Sequence, residues 1–288
     1  MSTRTESPFR RSWVGFLPSV VLVALVLFPR GWLPFSPTQA LAAPGMPPDS
    51  IHWFGTDRAG MDVFSRTVAS FQIDVTVGLL VAAVAVVLAA LIGVGIGVFE
   101  SEGGLAGKLA RLVGRCVDLF QSIPVMATAL VVVVSVGVSV PTMVIGLGLV
   151  LAPAQIRLVR TEVLRVRGLG YVDAAVVAGY PRWRVAVSRV LPNSTWPLVE
   201  NFPLIFATGI MILAALGFLG VGLPPPSPEW GVMISQGASD AAVGRWWTAV
   251  FPALALVATV LAVLTTRDVV MRRLAERTAR PRTTTATG

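Results

Sequence analysis

The sequence is poor in the residues on which most catalytic and metal-binding sites depend. It contains one cysteine, Cys116, and one histidine, His52, among 288 residues. A single cysteine excludes an internal disulfide framework, and no paired Cys or His spacing predicts a metal site. The sequence has no Gly-x-x-x-x-Gly-Lys-Ser/Thr loop for ATP hydrolysis and no Gly-x-Ser-x-Gly elbow. We therefore expect a chain that is not an enzyme and holds no cofactor or metal of its own.

Charged residues are also scarce. Asp, Glu, Lys and Arg make up 13% of the chain, against about a quarter in globular domains, and 55% of residues are hydrophobic. This composition excludes a soluble domain and predicts a polytopic membrane protein in contact with lipid. The net charge of +8 does not indicate a nucleic-acid partner, because the basic residues interrupt apolar runs and form no continuous basic face.

Six apolar runs are each able to cross a bilayer, which takes about 20 helical residues. They cover residues 13–28, 75–99, 123–140, 142–158, 198–223 and 247–270. As one helix, residues 123–156 would measure about 50 Å, too long for a single crossing, so we predict a hairpin at Pro141. The first run follows Arg10 and Arg11 as in a signal peptide, but no cleavage site follows promptly, and we expect an uncleaved anchor.

The distribution of basic residues supports six spans independently. With both termini in the cytoplasm, nineteen of the 23 Lys and Arg residues lie on the cytoplasmic side. The four outside are Arg30, Arg58, Arg66 and Arg245. Merging the third and fourth spans would place seven arginines of the central loop outside, against the positive-inside rule. The sequence therefore predicts an all-α fold with six transmembrane helices.

The longest polar interruption between apolar regions, residues 171–192, predicts a basic helix–turn–helix at the inner membrane surface. Asp173 heads a short Ala/Val helix, and Gly179 is predicted to end it with a positive φ. Pro181 is predicted to open the second helix, and Pro192 to close the unit.

The spacing of these residues resembles the EAA loop of ABC importer permeases. Gly179 lies six positions after Asp173 of Asp-Ala-Ala, and Pro192 lies thirteen positions after Gly179. In that family the loop forms coupling helices that dock in a cleft of the ATPase subunit. Asp173 stands where the family usually has Glu, which shortens the reach of the acid. The ATPase-coupling residues that the resemblance implies are Asp173, Ala174, Ala175, Gly179, Tyr180, Arg182, Arg184, Leu191 and Pro192.

Two further stretches resemble the permeases of peptide-type importers, in particular their "C" subunit. Residues 55–66 contain Gly-Thr-Asp-x-x-Gly-x-Asp-x-x-Ser-Arg, and residues 217–231 contain Phe-Leu-Gly-x-Gly followed by Pro-Pro and Trp-Gly. In the second stretch, the glycines predict close packing at the end of a span. The prolines predict a stiff outer loop. This loop either lines the mouth of a pathway or meets a delivery protein, or it is an ordinary rigid loop.

Local patterns in and near the first of these stretches add predictions of their own. Thr56 or Asp57 is predicted to cap a helix, and Asp62 is predicted to pair with Arg66 four residues later. We interpret the lone His52, beside an interfacial tryptophan, as a headgroup or packing residue and not as a metal ligand.

Residues 123–156 contain no ionisable side chain. An ion-coupled carrier normally places acids, histidines or arginines at mid-membrane. Their absence favours a transporter whose energy comes from outside the membrane part. An intramembrane enzyme is also not indicated, because it would need paired polar residues at depth.

Together, the resemblances imply the fold of a type I ABC importer permease with cytoplasmic coupling helices, in the bacterial cytoplasmic membrane. The implied partners are a second homologous permease subunit, two ATPase subunits that bind ATP and Mg, and an extracytoplasmic substrate-binding protein. Peptides are the expected cargo, with nickel, glutathione and haem as alternatives. An ATP-independent scaffold or channel is the alternative class. We expect residues 1–74 to form an arm, the first span and an outer segment, residues 75–270 the permease core, and residues 271–288 a basic cytoplasmic tail.

Overall fold

The computed structural model describes residues 16–28 and 30–279. Within these residues the chain is helical, and the only strand-like feature is an isolated bridge between Thr56 and Asp62. The predicted start of the first span at residue 13 and the end of the basic tail lie outside the described residues. The helices are α1 (Leu17–Val26), α2 (Val63–Phe99), α3 (Gly104–Gln121), α4 (Val125–Val136), α5 (Val140–Arg167), α6 (Gly170–Val177), α7 (Arg182–Val185), α8 (Trp196–Leu216), α9 (Trp230–Ala241) and α10 (Trp247–Ala279).

Four helical stretches of the described part are long and apolar enough to cross a membrane: α2, α5, Ala186–Val221 and α10. A fifth is counted if α3 and α4, which meet at a bend of 98°, form one broken span. α1 is apolar but has only 10 described residues. The all-α, multi-pass architecture is confirmed, whereas the count of six spans stays a prediction.

The predicted hairpin between the third and fourth spans is displaced from Pro141. α4 ends at Val136, and the chain turns at Gly137, whose φ of +98° lies in the left-handed region. Pro141 lies in the first turn of α5, where Ser139 Oγ accepts a hydrogen bond from the N–H of Thr142 at 3.2 Å. Proline is suited to that turn, because the first N–H groups of a helix have no intrahelical partner.

Two helices extend beyond their predicted bounds. α2 begins at Val63 instead of residue 75 and passes through two π-helical turns, Phe71–Val75 and Ala89–Gly93. α10 continues to Ala279, so the expected boundary between core and tail at residue 271 lies within a continuous helix.

The main core lies where α2, α5 and α8 pack together. Val81 of α2, Leu147 of α5 and Leu213 of α8 are fully buried in it. A Cβ added to Gly148 would lie 2.5 Å from the side chain of Val84. The absence of a side chain at Gly148 therefore allows α5 to approach α2 closely, as small residues do between membrane helices.

Candidate functional site

The polar loop between α5 and α8 forms a compact helical elbow, residues 170–194. α6 ends in a Schellman motif, in which the N–H of Tyr180 donates to Ala175 O at 3.2 Å and that of Gly179 to Val176 O at 3.0 Å. Gly179 has a φ of +83°, and a Cβ at this position would meet no atom within 4 Å. The backbone conformation, and not a lack of space, therefore favours glycine there. The predicted helix–turn–helix and its glycine turn are confirmed.

The elbow is anchored to the membrane helices by three buried valines. Val172, Val185 and Val190 belong to the same buried cluster as Val163 of α5 and Leu198 of α8. A displacement of the elbow therefore acts directly on these two helices.

The elbow also carries exposed apolar side chains. Val177 at the end of α6 is 88% exposed, and Val176, Tyr180 and Val187 are also exposed. Several exposed apolar side chains on one short segment are typical of a surface that meets another protein. Arg184 and Arg189, both exposed, add positive charge beside it.

The implied coupling residues differ in how far they are exposed. Ala174, Gly179, Tyr180, Arg184 and Pro192 are exposed, whereas Ala175 and Leu191 are half-buried. The side chains of Asp173, Arg182 and Trp183 lie outside the described part, so the ionic role implied for Asp173 stays a prediction.

Pro192 does not close the unit as predicted. The helical path runs from α7 through a π-helical turn, Ala186–Val190, into Leu191–Ser194, with Pro192 in the first turn of this last segment. Proline has no N–H to donate to the carbonyl four residues earlier, and such a gap in the hydrogen-bond ladder is a common cause of a wider turn. Pro192 thus reshapes the second helix without ending it.

An ion-pair network that the sequence did not reveal joins three helices at the elbow end of the membrane part. Arg160 of α5 donates from Nε to Glu100 Oε2 at 2.7 Å, with a second bond from Nη2 to Oε1 of the same carboxylate. Arg160 Nη1 also donates to Asp118 Oδ2 of α3 at 3.3 Å. Arg167, about two turns nearer the elbow, donates to the carbonyls of Gly97 and Val98 in the last turn of α2. The ends of α2, α3 and α5 are therefore tied together.

A cavity of about 520 Å³ opens at the bend between α3 and α4, against α5 and α8. Its polar side chains are Gln121, Ser122, Thr128, Gln155 and Thr208, and no charged side chain of the described residues lines it. The hydroxyls of Thr128 and Thr208 donate to carbonyls of their own helices, which leaves a weakly polar wall. Such a surface can contact polar solutes without binding them through charge.

The stretch that contains Gly-Thr-Asp forms a strap held by several hydrogen bonds, with different partners from those predicted. Asp62, not Thr56 or Asp57, caps α2 by accepting from the N–H of Ser65 at 2.7 Å. Asp62 Oδ1 also lies 2.9 Å from His52 Nδ1, so His52 is a buried packing residue. No three-residue cluster able to hold a metal occurs in the described chain.

The predicted pair of Asp62 with Arg66 is likewise wrong. Arg66 is 1% exposed and places Nε 3.6 Å from Asp57 Oδ2. Its Nη1 donates to the carbonyls of Pro37 and Pro226 at 3.0 and 3.3 Å. The predicted pair fails because Asp62 is already used in capping and in the contact with His52. Arg66 instead ties the strap to the proline-rich loop before α9.

Two glycines of the stretch 217–231 make room for a buried carboxylate. Cβ atoms added to Gly217 and Gly222 would lie 2.4 and 2.3 Å from oxygens of the Glu229 carboxylate. Glu229 caps α9 by accepting from the N–H of Gly231 at 3.0 Å. Burial disfavours the charged form and raises the pKa of Glu229, in the loop before α9, to about 7. The predicted close packing is confirmed at Gly217 and Gly222, which accommodate Glu229, whereas a Cβ added to Gly220 would meet no atom within 4 Å.

Asp74 lies beside this carboxylate and was not recognised as a site residue from the sequence. It is buried in the π-helical turn of α2, and its Oδ2 accepts from the N–H of Trp230 at 2.9 Å. Trp230 is fully buried, and its indole N–H donates to Thr67 O at 3.2 Å. The position of Asp74 in a π-helical turn, a feature frequent at functional sites, is visible only in the structure.

Residues 91–280 match the model of the family described as binding-protein-dependent transport system inner membrane component. The chain is 33% identical over 242 residues to a probable D,D-dipeptide transport system permease protein of Escherichia coli, covering 83% of this chain and 79% of that protein. It is 30% identical over 258 residues to a di/tripeptide transport system permease protein of Pseudomonas aeruginosa (86% and 82%). It is also 29% identical over 269 residues to a glutathione transport system permease protein of Pectobacterium atrosepticum (89% and 87%).

Proposed function

This chain belongs to the family of binding-protein-dependent transport system inner membrane components, and we propose that it is a permease subunit of an ABC importer for peptides. The observation that carries the proposal is the elbow: an exposed apolar tip at Val177 and Tyr180, mounted on valines buried against the membrane helices. A surface of this kind receives a partner and transfers its movement to the spans.

The elbow acts through α5, with which it shares a buried core. Movement of α5 is passed to α2 and α3 by Arg160, which bonds Glu100 and Asp118. α3 leads into the bend at which the 520 Å³ cavity opens. Docking of an ATPase at Val177 is thereby connected, by contiguous contacts, to the shape of the cavity.

We infer that this cavity is half of the translocation path. A second, homologous permease subunit supplies the other half, and the path opens to one side and then to the other as the two subunits rock. Uncharged amides and hydroxyls suit such a path, because they contact a peptide backbone without holding it. Specificity then resides largely in an extracytoplasmic binding protein.

We assign both termini to the cytoplasm, and we infer that the residues implied at the elbow contact one of two ATPase subunits. Those subunits bind the ATP and Mg, and this chain is a non-catalytic subunit. Residues 75–270 serve as the permease core, and the basic residues beyond it lie beside anionic lipid. Glutathione, nickel and haem remain alternative cargoes, the first of them named for one relative.

The proposal is tested by uptake in proteoliposomes that contain both permeases, the ATPase pair and the binding protein. We expect labelled dipeptide to accumulate only with ATP and the complete set of subunits. Uptake that persists without the ATPases would contradict an importer and support a channel. Identification of the ligand that copurifies with the binding protein decides between peptide and the alternative cargoes.

A further inference from the structure

The transport mechanism proposed above does not use a groove on the surface formed by α1, α2, α8 and α10. We propose that it binds one phospholipid with an amine-bearing headgroup, of the phosphatidylethanolamine type. The groove consists of two adjoining cavities of about 380 and 250 Å³. Ser19, Pro203 and Val263 line both cavities, so the two form one continuous groove.

The larger cavity has the character of an acyl-chain site. Its walls are apolar, with Leu22, Leu79 and Phe206 among the lining residues, and Ser19 is its one polar side chain in the described residues. The Ser19 hydroxyl is already bonded to Thr266 Oγ1 and to Ala262 O. The lining residues of α1 extend from 19 to 27, about 12 Å at 1.5 Å per residue. One leaflet of the hydrocarbon core is about 15 Å deep. A cavity of this length therefore accommodates most of one lipid acyl chain within that leaflet.

The smaller cavity ends among groups typical of the headgroup layer. Trp196, Glu200 and Arg267 line it. Trp196 Nε1 donates to Glu200 Oε1 at 2.6 Å, and Arg267 Nε donates to Glu200 O at 3.2 Å. Tryptophan and arginine mark the membrane interface, so this end of the groove lies where a lipid carries its phosphate.

This end of the groove carries both a positive and a negative side chain, which matches a zwitterionic lipid headgroup. Arginine has five N–H donors, and the contacts of Arg267 with Glu200 O and Asp268 Oδ1 use two of its nitrogens. The remaining donors suit a phosphate. The carboxylate of Glu200 suits an ammonium that donates hydrogen bonds. A purely anionic headgroup would be repelled by this carboxylate, and a quaternary ammonium has no N–H to donate to it.

The position of the groove decides between lipid and a protein partner. Leu204, Ile205 and Thr208 of α8 line the translocation cavity, whereas Phe202, Pro203 and Phe206 line the groove. At about 100° per residue these two sets lie on opposite sides of α8. The inference rests here on the proposed function: if the translocation cavity faces the second permease, the groove faces lipid.

The test is lipid retention by the complete complex, extracted in mild detergent and analysed by mass spectrometry of the intact permease chain. The variant Arg267→Gln removes the phosphate donor, and Arg272→Gln, on an exposed residue of the same helix, is its matched control. Wild type and Arg272→Gln should retain one phosphatidylethanolamine. Arg267→Gln should bind it about tenfold more weakly, as expected for one lost charge-assisted hydrogen bond.

A second variant pair tests the acyl-chain site without changing charge. Val263→Phe fills the groove and should release the lipid, whereas Leu261→Phe on an exposed face should not. If Arg267→Gln and Val263→Phe both retained as much lipid as the wild type, the proposal would be overturned. So would a preference for phosphatidylglycerol or phosphatidylcholine, or photo-crosslinking from position 23 to the second permease. ATPase copurification is measured in the same samples, and its loss in the wild type would count against the proposed function instead.

Discussion

The backbone N–H of Trp230 donates a hydrogen bond of 2.9 Å to Asp74 Oδ2 and so joins the start of α9 to α2. Glu229, the residue before this tryptophan, is also buried, so two acids share one buried environment. Two carboxylates in such a place are strongly disfavoured as a doubly charged pair. The arrangement therefore fastens α9 to α2 most firmly when the pair carries a proton.

The first prediction concerns Asp74. Asp74→Asn retains an acceptor for the Trp230 N–H and removes one charge, so it should preserve or raise thermal stability. Asp74→Leu leaves that buried N–H without a partner and should cost about 1–3 kcal/mol. Thermal unfolding of the purified chain in detergent measures both variants. Equal melting temperatures for Asn and Leu would show that the hydrogen bond contributes nothing.

The second prediction is a pH dependence caused by Glu229. Its pKa is about 7 in the folded chain, against 4.5 for an ordinary glutamate. Because the folded state favours the protonated form, this contribution is fully present below pH 4.5 and is lost as the pH rises to 7. The loss amounts to about 3 kcal/mol at most.

Melting temperature measured between pH 4.5 and pH 8 tests this sign. Glu229→Gln should flatten the decline, whereas Glu162→Gln, which removes a local pair with Arg165, should leave it unchanged. A wild-type melting temperature that rises across this interval would contradict the assignment.

The third prediction concerns Arg160. Arg160→Met leaves Glu100 and Asp118 without their shared cation, so α2 and α3 should no longer follow α5. We expect the ATPases still to copurify, while more ATP is hydrolysed for each peptide transported. Arg165→Gln, which breaks only an exposed pair within α5, is the control. An unchanged ratio of ATP hydrolysed to peptide transported in Arg160→Met would exclude the network from transmission.

The fourth prediction concerns the translocation cavity. Ala154 is an exposed residue that lines it, so Ala154→Trp should obstruct the path and reduce peptide uptake to background. Leu149→Trp, on an exposed position of α5 that does not line the cavity, should transport normally. Normal uptake by Ala154→Trp, with the chain correctly inserted, would place the path elsewhere.

The sequence predicted most successfully the features that depend on neighbouring residues. The glycine turn at Gly179 was recognised because a positive φ between two short helices leaves few other choices. The predicted cap of α2 is wrong because Thr56, Asp57 and Asp62 are all residue types that can cap a helix N-terminus. Contacts with His52 and Arg66 determine which of them is used, and these depend on the folded strap.

Features that join distant segments could not be predicted in this way. Asp74 and Glu229 meet only after folding, and no local sequence pattern connects two acids so far apart in the chain. The hairpin after α4 was assigned to Pro141 because proline interrupts helices, yet proline is also favoured in a first turn. The structure resolves that ambiguity in favour of Gly137.

The account depends most on the claim that the elbow docks an ATPase, and copurification of the ATPase subunits with Gly179→Val tests it most directly. Gly244→Val is the matched control, because Gly244 also has a positive φ and an open surrounding but lies between α9 and α10. We predict that both variants insert in the membrane and that only Gly179→Val loses the ATPases. Equal ATPase recovery with the two variants, accompanied by normal peptide transport, would contradict the account.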